Sequence, residues 1–184
     1  MGVVWWMRTG TIRIERLEGA VSAADVACLA EVLVDAVESG AAVSFVWPLD
    51  VERASEWWRG TLEGRALGRL VVLVARDEGG VIVGTVQYQR AWAPNQPHRA
   101  EIAKLMVHRG SRGRGVGEGL MRTAEADARG AGVTLLTLDA KRGAAAERLY
   151  QRMGWTVSGV IPRFALDPDG KALHDTVIYY KEIG

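Results

Sequence analysis

The sequence predicts an α/β fold of the mixed, α+β kind, with one sheet of about seven strands and about four helices. Three observations carry that expectation. Segments with strand-like and helix-like apolar spacing follow one another in the order β-α-α-β-β-β-α-β-α-β-β. Asp77-Glu78-Gly79-Gly80 joins two apolar runs, a hairpin signal. Val133 to Leu138 is almost unbroken apolar sequence after a helical segment. That pattern suits a strand covered on both faces, reached by a parallel crossover from the strand ending near Val107.

The elements can be justified in order. Met1 to Gly10 holds Val3, Val4, Trp5, Trp6 and Met7, but it is too short for a signal h-region and lacks a basic n-region. Thr11 to Leu17 alternates Ile12 and Ile14 with charged neighbours, as a short strand does. Ser22 caps a helix through Val37, which Ser39-Gly40 ends, and Asp50 caps a second helix to Leu62. Arg69–Arg76 and Val81–Arg90 are the hairpin strands; Pro94 and Pro97 mark a loop, and Arg99–His108 resumes as a strand. A Gly/Arg segment opens into a helix to about Arg129. Ala144–Met153 is helical and stops at Gly154, before strands Trp155–Ile161 and Leu173–Glu182 flanking the turn Asp167-Pro168-Asp169-Gly170.

The 184 residues, 48% hydrophobic and 24% charged, suit one domain over 1–184 whose core needs no disulfide or metal. That composition excludes disorder, collagen-like repeats and a disulfide scaffold. Lys plus Arg is 23 against 22 for Asp plus Glu, so no global basic field argues for nucleic acid. No apolar stretch approaches the ~20 residues of a membrane span. The one cysteine, Cys28, sits in a helix-like run with Val26, Leu29, Leu33 and Val37, where it reads as a core filler. It cannot form an internal disulfide, which favours a reducing, cytoplasmic setting. His98, His108 and His174 lie far apart without metal-ligand spacing, so no metal is expected. Trp57 and Trp58 read as core or interface residues, while Trp47, Trp92 and Phe164 fall in segments that either wall a pocket or simply pack.

The Gly/Arg segment Arg109-Gly110-Ser111-Arg112-Gly113-Arg114-Gly115-Val116-Gly117 is the most informative stretch. Free amides at a helix N-terminus bind phosphate oxygens, and glycines let a ligand approach the backbone. Arg109, Arg112 and Arg114 add positive charge beside those amides. A Walker loop is excluded because no Gly-Lys-Ser/Thr follows. The dinucleotide fingerprint also fails, since counting from Gly113 or Gly115 puts Glu118 or Leu120 in its last slot.

Arg112-Gly113-Arg114-Gly115-Val116-Gly117 resembles the Arg/Gln-x-x-Gly-x-Gly/Ala signature of the GNAT superfamily of N-acetyltransferases. The likeness extends to Ala146-Glu147-Arg148-Leu149-Tyr150-Gln151-Arg152-Met153-Gly154-Trp155, similar to the superfamily's Ala-x-x-x-Tyr-x-x-x-Gly-Phe block. Pro168-Asp169-Gly170 and Val177-Ile178-Tyr179-Tyr180-Lys181 are similar to its tabtoxin-resistance branch. The resemblance implies a GNAT-like sheet splayed in the middle and transfer of acetyl from acetyl-CoA to an amine, without a metal. It also implies that Leu105, Met106 and Val107 pair with the pantetheine arm. Arg112, Gly113, Arg114, Gly115, Val116, Gly117 and Glu118 complete the implied cofactor-binding set. Many members carry an asparagine seven residues before the tyrosine, where this chain has Gly143.

The chemistry then needs a proton acceptor and a proton donor. An aliphatic amine has a pKa near ~10 and arrives protonated. Glu101 is the first candidate base, eleven positions before Arg112, the spacing at which histone-acetylating members carry theirs. Strand alternation places it with Ala103, Leu105 and Val107; an exposed strand-end acid beside Arg99 is the alternative. Asp139 ends the apolar run, where it orients the amine, relays its proton or merely caps a turn. Tyr150 is the candidate proton donor to the departing thiolate, though its pattern alone also fits a core aromatic. The expected acceptor is a small amine, amino-acid-like or a toxin or antibiotic, attacked directly in a ternary complex. A protein or peptide acceptor, a non-catalytic acyl-CoA-binding regulatory module, and a homodimer stay open.

Overall fold

Two side-chain caps start the helices of the first half of the chain. Ser22 Oγ accepts from the Asp25 amide at 3.1 Å and Asp50 Oδ1 from the Arg53 amide at 2.8 Å, as both cap residues predict. The computed structural model describes residues 3–7, 10–65 and 68–184, with backbone alone for 3–7 and 10. Its elements are β1 (Val3–Met7), β2 (Gly10–Arg16), α1 (Ala23–Glu38), α2 (Val51–Gly64), β3 (Leu70–Arg76), β4 (Ile82–Arg90) and β5 (Arg99–Val107). After these come α3 (Val116–Gly130), β6 (Leu135–Lys141), α4 (Ala145–Arg152), β7 (Thr156–Leu166) and β8 (Leu173–Glu182).

The strands form one eight-stranded sheet in the order β1-β2-β3-β4-β5-β6-β8-β7. Among the described residues only β5 and β6 pair in parallel, which bears out the crossover. The strand beyond the expected seven is β1, pairing antiparallel with β2 from Val3↔Ile14 to Met7↔Gly10. The other extension is β7, which runs on past Ile161 through Pro162. As an edge strand it tolerates a proline, and it absorbs the interruption by a register shift between Ile161 and Ala165, with Arg163 at φ 52°.

The sheet separates two apolar cores. On one side α1 and α2 cover Val72, Val74, Ile82 and Met106; on the other, α3 and α4 cover Leu73, Tyr88, Ile102, Leu136 and Leu138. β6 is fully buried only on the second side, through Leu136 and Leu138, while Leu135 and Thr137 are half-buried. Its apolar run therefore reflects one fully covered face rather than two, because the α1–α2 core does not reach β6.

The feature that positions the site is a parting of strands. β4 follows β5 from Arg90↔Ala100 to Gly84↔Val107, whereas β6 pairs with β5 only from Arg99↔Leu135 to Glu101↔Thr137. Beyond Glu101, β6 stays with β8, and the rest of β5 has no strand on that side. β5 also carries a one-residue bulge: Gln87 faces Ala103 but Thr85 faces Met106, so two residues oppose Val86, and Lys104 takes φ 53°. The bulge inverts the alternation. Ala100, Ile102, Leu105 and Val107 face the α3 core, while Met106 joins the α1–α2 core on the side of Glu101 and Ala103. The expected shared face of Glu101, Ala103, Leu105 and Val107 is thus corrected, because simple alternation cannot register an inserted residue.

Candidate functional site

The parted strands enclose a cleft of about 820 Å³. Its lining comes from residues 39–44 after α1, β5 from Glu101 to Val107, the loop into α3, and 138–146 with Leu149 and Tyr150. The sequence-expected residues Glu101, Leu105, Met106, Val107, Arg112, Gly113, Gly115, Val116, Gly117, Asp139 and Tyr150 all line it. Arg114 and Glu118 adjoin it in the same loop and first helical turn.

One end of the cleft is made of backbone. Gly113 and Gly115 have φ of 73° and 82°, left-handed conformations that account for glycine at both positions. Gly115 caps α3 without any side-chain bond, and the first helical return bond shown there is Gly119 N to Gly115 O at 2.9 Å. The amides of Val116, Gly117 and Glu118 therefore begin the helix without a capping partner. A Cβ on Gly113 would meet no protein atom within 4 Å. The cradle is open space bounded by donors, which suits a phosphate group.

The arginines divide their work. Arg112 donates from Nε to Val107 O at 2.8 Å and from Nη2 to Asp35 Oδ2 at 2.9 Å. Asp35, buried on α1, also accepts the Arg109 amide at 2.9 Å and pairs with Arg109 Nε, while Arg109 Nη2 reaches Glu38 at 2.8 Å. Two of the three expected cradle charges are thus neutralised by α1 and hold the loop in shape. Arg114 is exposed and makes no ion pair among the described residues. Glu118 pairs with Arg122 at 2.8 Å, along its own helix.

The middle of the cleft carries the titratable groups. Tyr150 is 6% exposed on α4, packed against Tyr179 (5.5 Å between ring centres) and Trp155 (6.1 Å). Burial foremost, then the Asp139 charge and Tyr179, raise its pKa well above the ordinary phenol value, so a phenol already protonated at neutral pH keeps its proton further into alkaline solution. Asp139 is exposed, opposite Ile178 in the β6–β8 ladder, with Thr176 Oγ1 at 3.2 Å from Oδ2. Thr176 is fully buried and its hydroxyl also lies 3.0 Å from Ala140 O, so its one proton serves either oxygen. Glu101 is exposed at the last paired position of β5 with β6.

Sequence reasoning missed Lys104 and Asp35. The Lys104 ammonium, half-buried in the cleft wall, donates to Val43 O and Ser44 Oγ, both at 2.9 Å. It lies 5.5 Å and 5.9 Å from the ring centres of Trp57 and Phe45. Burial lowers its pKa, and the Asp139 carboxylate partly offsets that. A lysine inside a strand reads as surface, and nothing local marks the bulge that turns it inward. Asp35 was legible only as a polar interruption of the apolar side of α1. Trp47, Trp92 and Phe164 are exposed and do not line the cleft. Trp58 is fully buried in the core, and Cys28, on α1, is half-buried against the α1–α2 core and does not line the cleft. No helix among the described residues is long and apolar enough to cross a membrane.

A model of the acetyltransferase (GNAT) family matches residues 32–155. The L-methionine sulfoximine/L-methionine sulfone acetyltransferases of Pseudomonas paraeruginosa and Pseudomonas aeruginosa are each 28% identical over 131 residues, covering 70% of this chain and 73% of the relative. The Salmonella typhimurium protein yncA, solved with its cofactor acetyl-CoA, shares the fold with a TM-score of 0.72 at 22% identity, covering 94% of each chain.

Proposed function

The chain belongs to the acetyltransferase (GNAT) family, and from that premise we propose that it moves acetyl from acetyl-CoA to the primary amine of a small, amino-acid-like molecule. Attack is direct, with donor and acceptor bound together. The observation that carries this reading is the parting of β5 from β6 beyond Glu101, with uncapped helix amides at one end of the opening and Asp139 and Tyr150 in its middle.

Bound acetyl-CoA supplies an activated thioester. The amides of Val116, Gly117 and Glu118, with Gly113, Gly115 and Arg114, receive its pyrophosphate, and Arg112 holds that loop to the end of β5. The free side of Leu105, Met106 and Val107 offers backbone groups to the pantetheine arm as a neighbouring strand would; the Val107 carbonyl already accepts from Arg112. Glu101 or Asp139 takes the ammonium proton, directly or through water. Tyr150, kept neutral by burial, gives a proton to the leaving sulfur. Cys28 lies away from the cleft, so no thiol stands ready for a covalent acetyl-enzyme.

The named activity of the Pseudomonas relatives supports an amino-acid-like acceptor. Thiol release from acetyl-CoA, followed with L-methionine sulfoximine, L-methionine sulfone, other small amines and lysine-rich peptides, tests the reading. Small amines are expected to be turned over best. Preference for the peptides would replace the acceptor class. Acetyl-CoA binding without release for any amine would leave a non-catalytic module.

A further inference from the structure

The acceptor side of the cleft contains a cation without a counter-ion. Lys104 Nζ has two neutral partners, Val43 O and Ser44 Oγ, and no carboxylate within salt-bridge distance among the described residues. Its ammonium has three donors, and two are engaged. A half-buried cation that lacks a charged partner loses hydration without full compensation.

The backbone pays for this placement twice. Lys104 at φ 53° and Ser44 at φ 72° are two of the three described non-glycine residues with positive φ, and they hydrogen-bond to each other. Side chains are rarely held in such conformations unless the surroundings require it, and these cluster at ligand sites. The bulge at Lys104 turns an internal strand residue into the cleft wall, and Ser44 meets it from the segment after α1. The Phe45 and Trp57 rings also lie near the ammonium, at 5.9 Å and 5.5 Å.

We infer that Lys104 recognises the carboxylate of the acceptor, making this chain selective for free α-amino acids over amines that lack an adjacent acid group. The inference rests on the proposed function and names its substrate class through one residue. Lys104 and the Asp139 carboxylate feel each other's charge in one cleft. An α-amino acid carries the matching pair, a carboxylate for Lys104 and an ammonium for Asp139 and Glu101, on adjacent atoms of one carbon. Lys104 acts on binding and takes no part in proton transfer.

The test pairs each free L-amino acid, with L-methionine sulfone and L-methionine sulfoximine included, against its own carboxamide. Both are assayed for thiol release from acetyl-CoA with the wild-type chain, Lys104→Met and Lys104→Arg. Methionine keeps the length and the packing against Phe45 and Trp57. The wild type should favour the free acid by about 10- to 100-fold in kcat/KM, the range of a charge-assisted bond. Lys104→Met should bring that ratio near one through KM for the acid, with KM for acetyl-CoA unchanged. Lys104→Arg should restore part of the preference. Calorimetric titration of the best acid into the chain saturated with CoA gives the same ranking without turnover. A wild type that treats acid and carboxamide alike overturns the inference while leaving the acetyltransferase reading intact. A preference that survives in Lys104→Met does so too. If acetyl-CoA binds and neither form of any acceptor reacts, the proposed function fails, and this assignment falls with it.

Discussion

The two ends of the cleft are built by opposite means. The end at α3 is a contiguous run from Arg109 to Glu118 whose working groups are backbone amides held by two left-handed glycines. The end at residues 39–44 is assembled from side chains, with Lys104 reaching 61 residues back to Val43. Backbone donors suit the first end to an anionic group of any attachment, as the proposed acetyl-CoA pyrophosphate requires. Side chains make the second end easy to revise, as an acceptor pocket must be if related folds are to serve different substrates. Tyr150 and Asp139 lie between the two ends and belong to neither.

That division predicts where substitutions separate binding from chemistry. The largest effect is expected at the middle. Tyr150→Phe removes the proposed donor and should lower kcat by about 10²- to 10⁴-fold. Acetyl-CoA should still raise the melting temperature of the variant as it does for wild type. Unchanged turnover would remove Tyr150 from the chemistry and leave it a packing residue against Trp155 and Tyr179. Glu101→Gln and Asp139→Asn then divide the base function: the true acceptor should lose its acidic limb in the pH profile of kcat/KM when replaced.

At the backbone end, Gly115→Val should raise KM for acetyl-CoA by about tenfold, ~1.4 kcal/mol. A β-branched residue cannot hold φ 82° without strain, so the first amides of α3 turn away from the cleft. KM for the acceptor should stay put. Kinetics in which both constants rise together would show that the two ends are one unit.

Asp35 sharpens the comparison, because it is a side chain serving the backbone end. Asp35→Asn keeps the shape and removes the charge that gathers Arg109 and Arg112. Both arginines are about half exposed and regain water, so the loss of stability should be modest, ~1–2 kcal/mol. For a chain of this size that lowers the midpoint by roughly 2–8 °C. Acetyl-CoA KM should rise several-fold, and saturating acetyl-CoA should recover part of the lost midpoint. A fall in stability with no change in KM would make the cluster purely structural.

How much of this was legible in the sequence follows from the same contrast. The cradle could be read because its determinants are local: glycines at fixed spacing, a helix start, and the absence of Walker or dinucleotide spacing. The partner that neutralises Arg112 lies 77 residues earlier in the chain, and no local pattern links Asp35 to that loop. Glu101, Asp139 and Tyr150, singled out through residue type and the family resemblance, all line one cleft, yet simple alternation misassigns the face of β5 after Ala103, because it gives no sign of an inserted residue. Pro162 concealed the outer half of β7 in the same way, since only the sheet order reveals an edge where proline is tolerated. Local signals thus marked the loop whose main-chain amides are left free at the start of α3, and missed the side chains brought together by tertiary contact.

The smallest expected effect concerns alkaline stability. Tyr88, Tyr150 and Tyr179 all have pKa values raised by burial above all. In the unfolded chain these phenols ionise near ~10, whereas in the fold they hold their protons to higher pH. The unfolded state therefore releases protons first, and stability should be unaffected by these groups below pH ~10 and fall as pH rises beyond it. Tyr88 donates to Asp127 at 2.7 Å, so its loss would also break a bond, whereas Tyr150 makes no side-chain hydrogen bond among the described residues. Tyr150→Phe is accordingly the cleaner probe: denaturant midpoints measured from pH 8 to 11 should fall less steeply than in wild type. Parallel curves would mean that the Tyr150 phenol ionises as easily in the fold as outside it, so that burial gives it no extra hold on its proton, although an unshifted phenol would still be protonated at neutral pH.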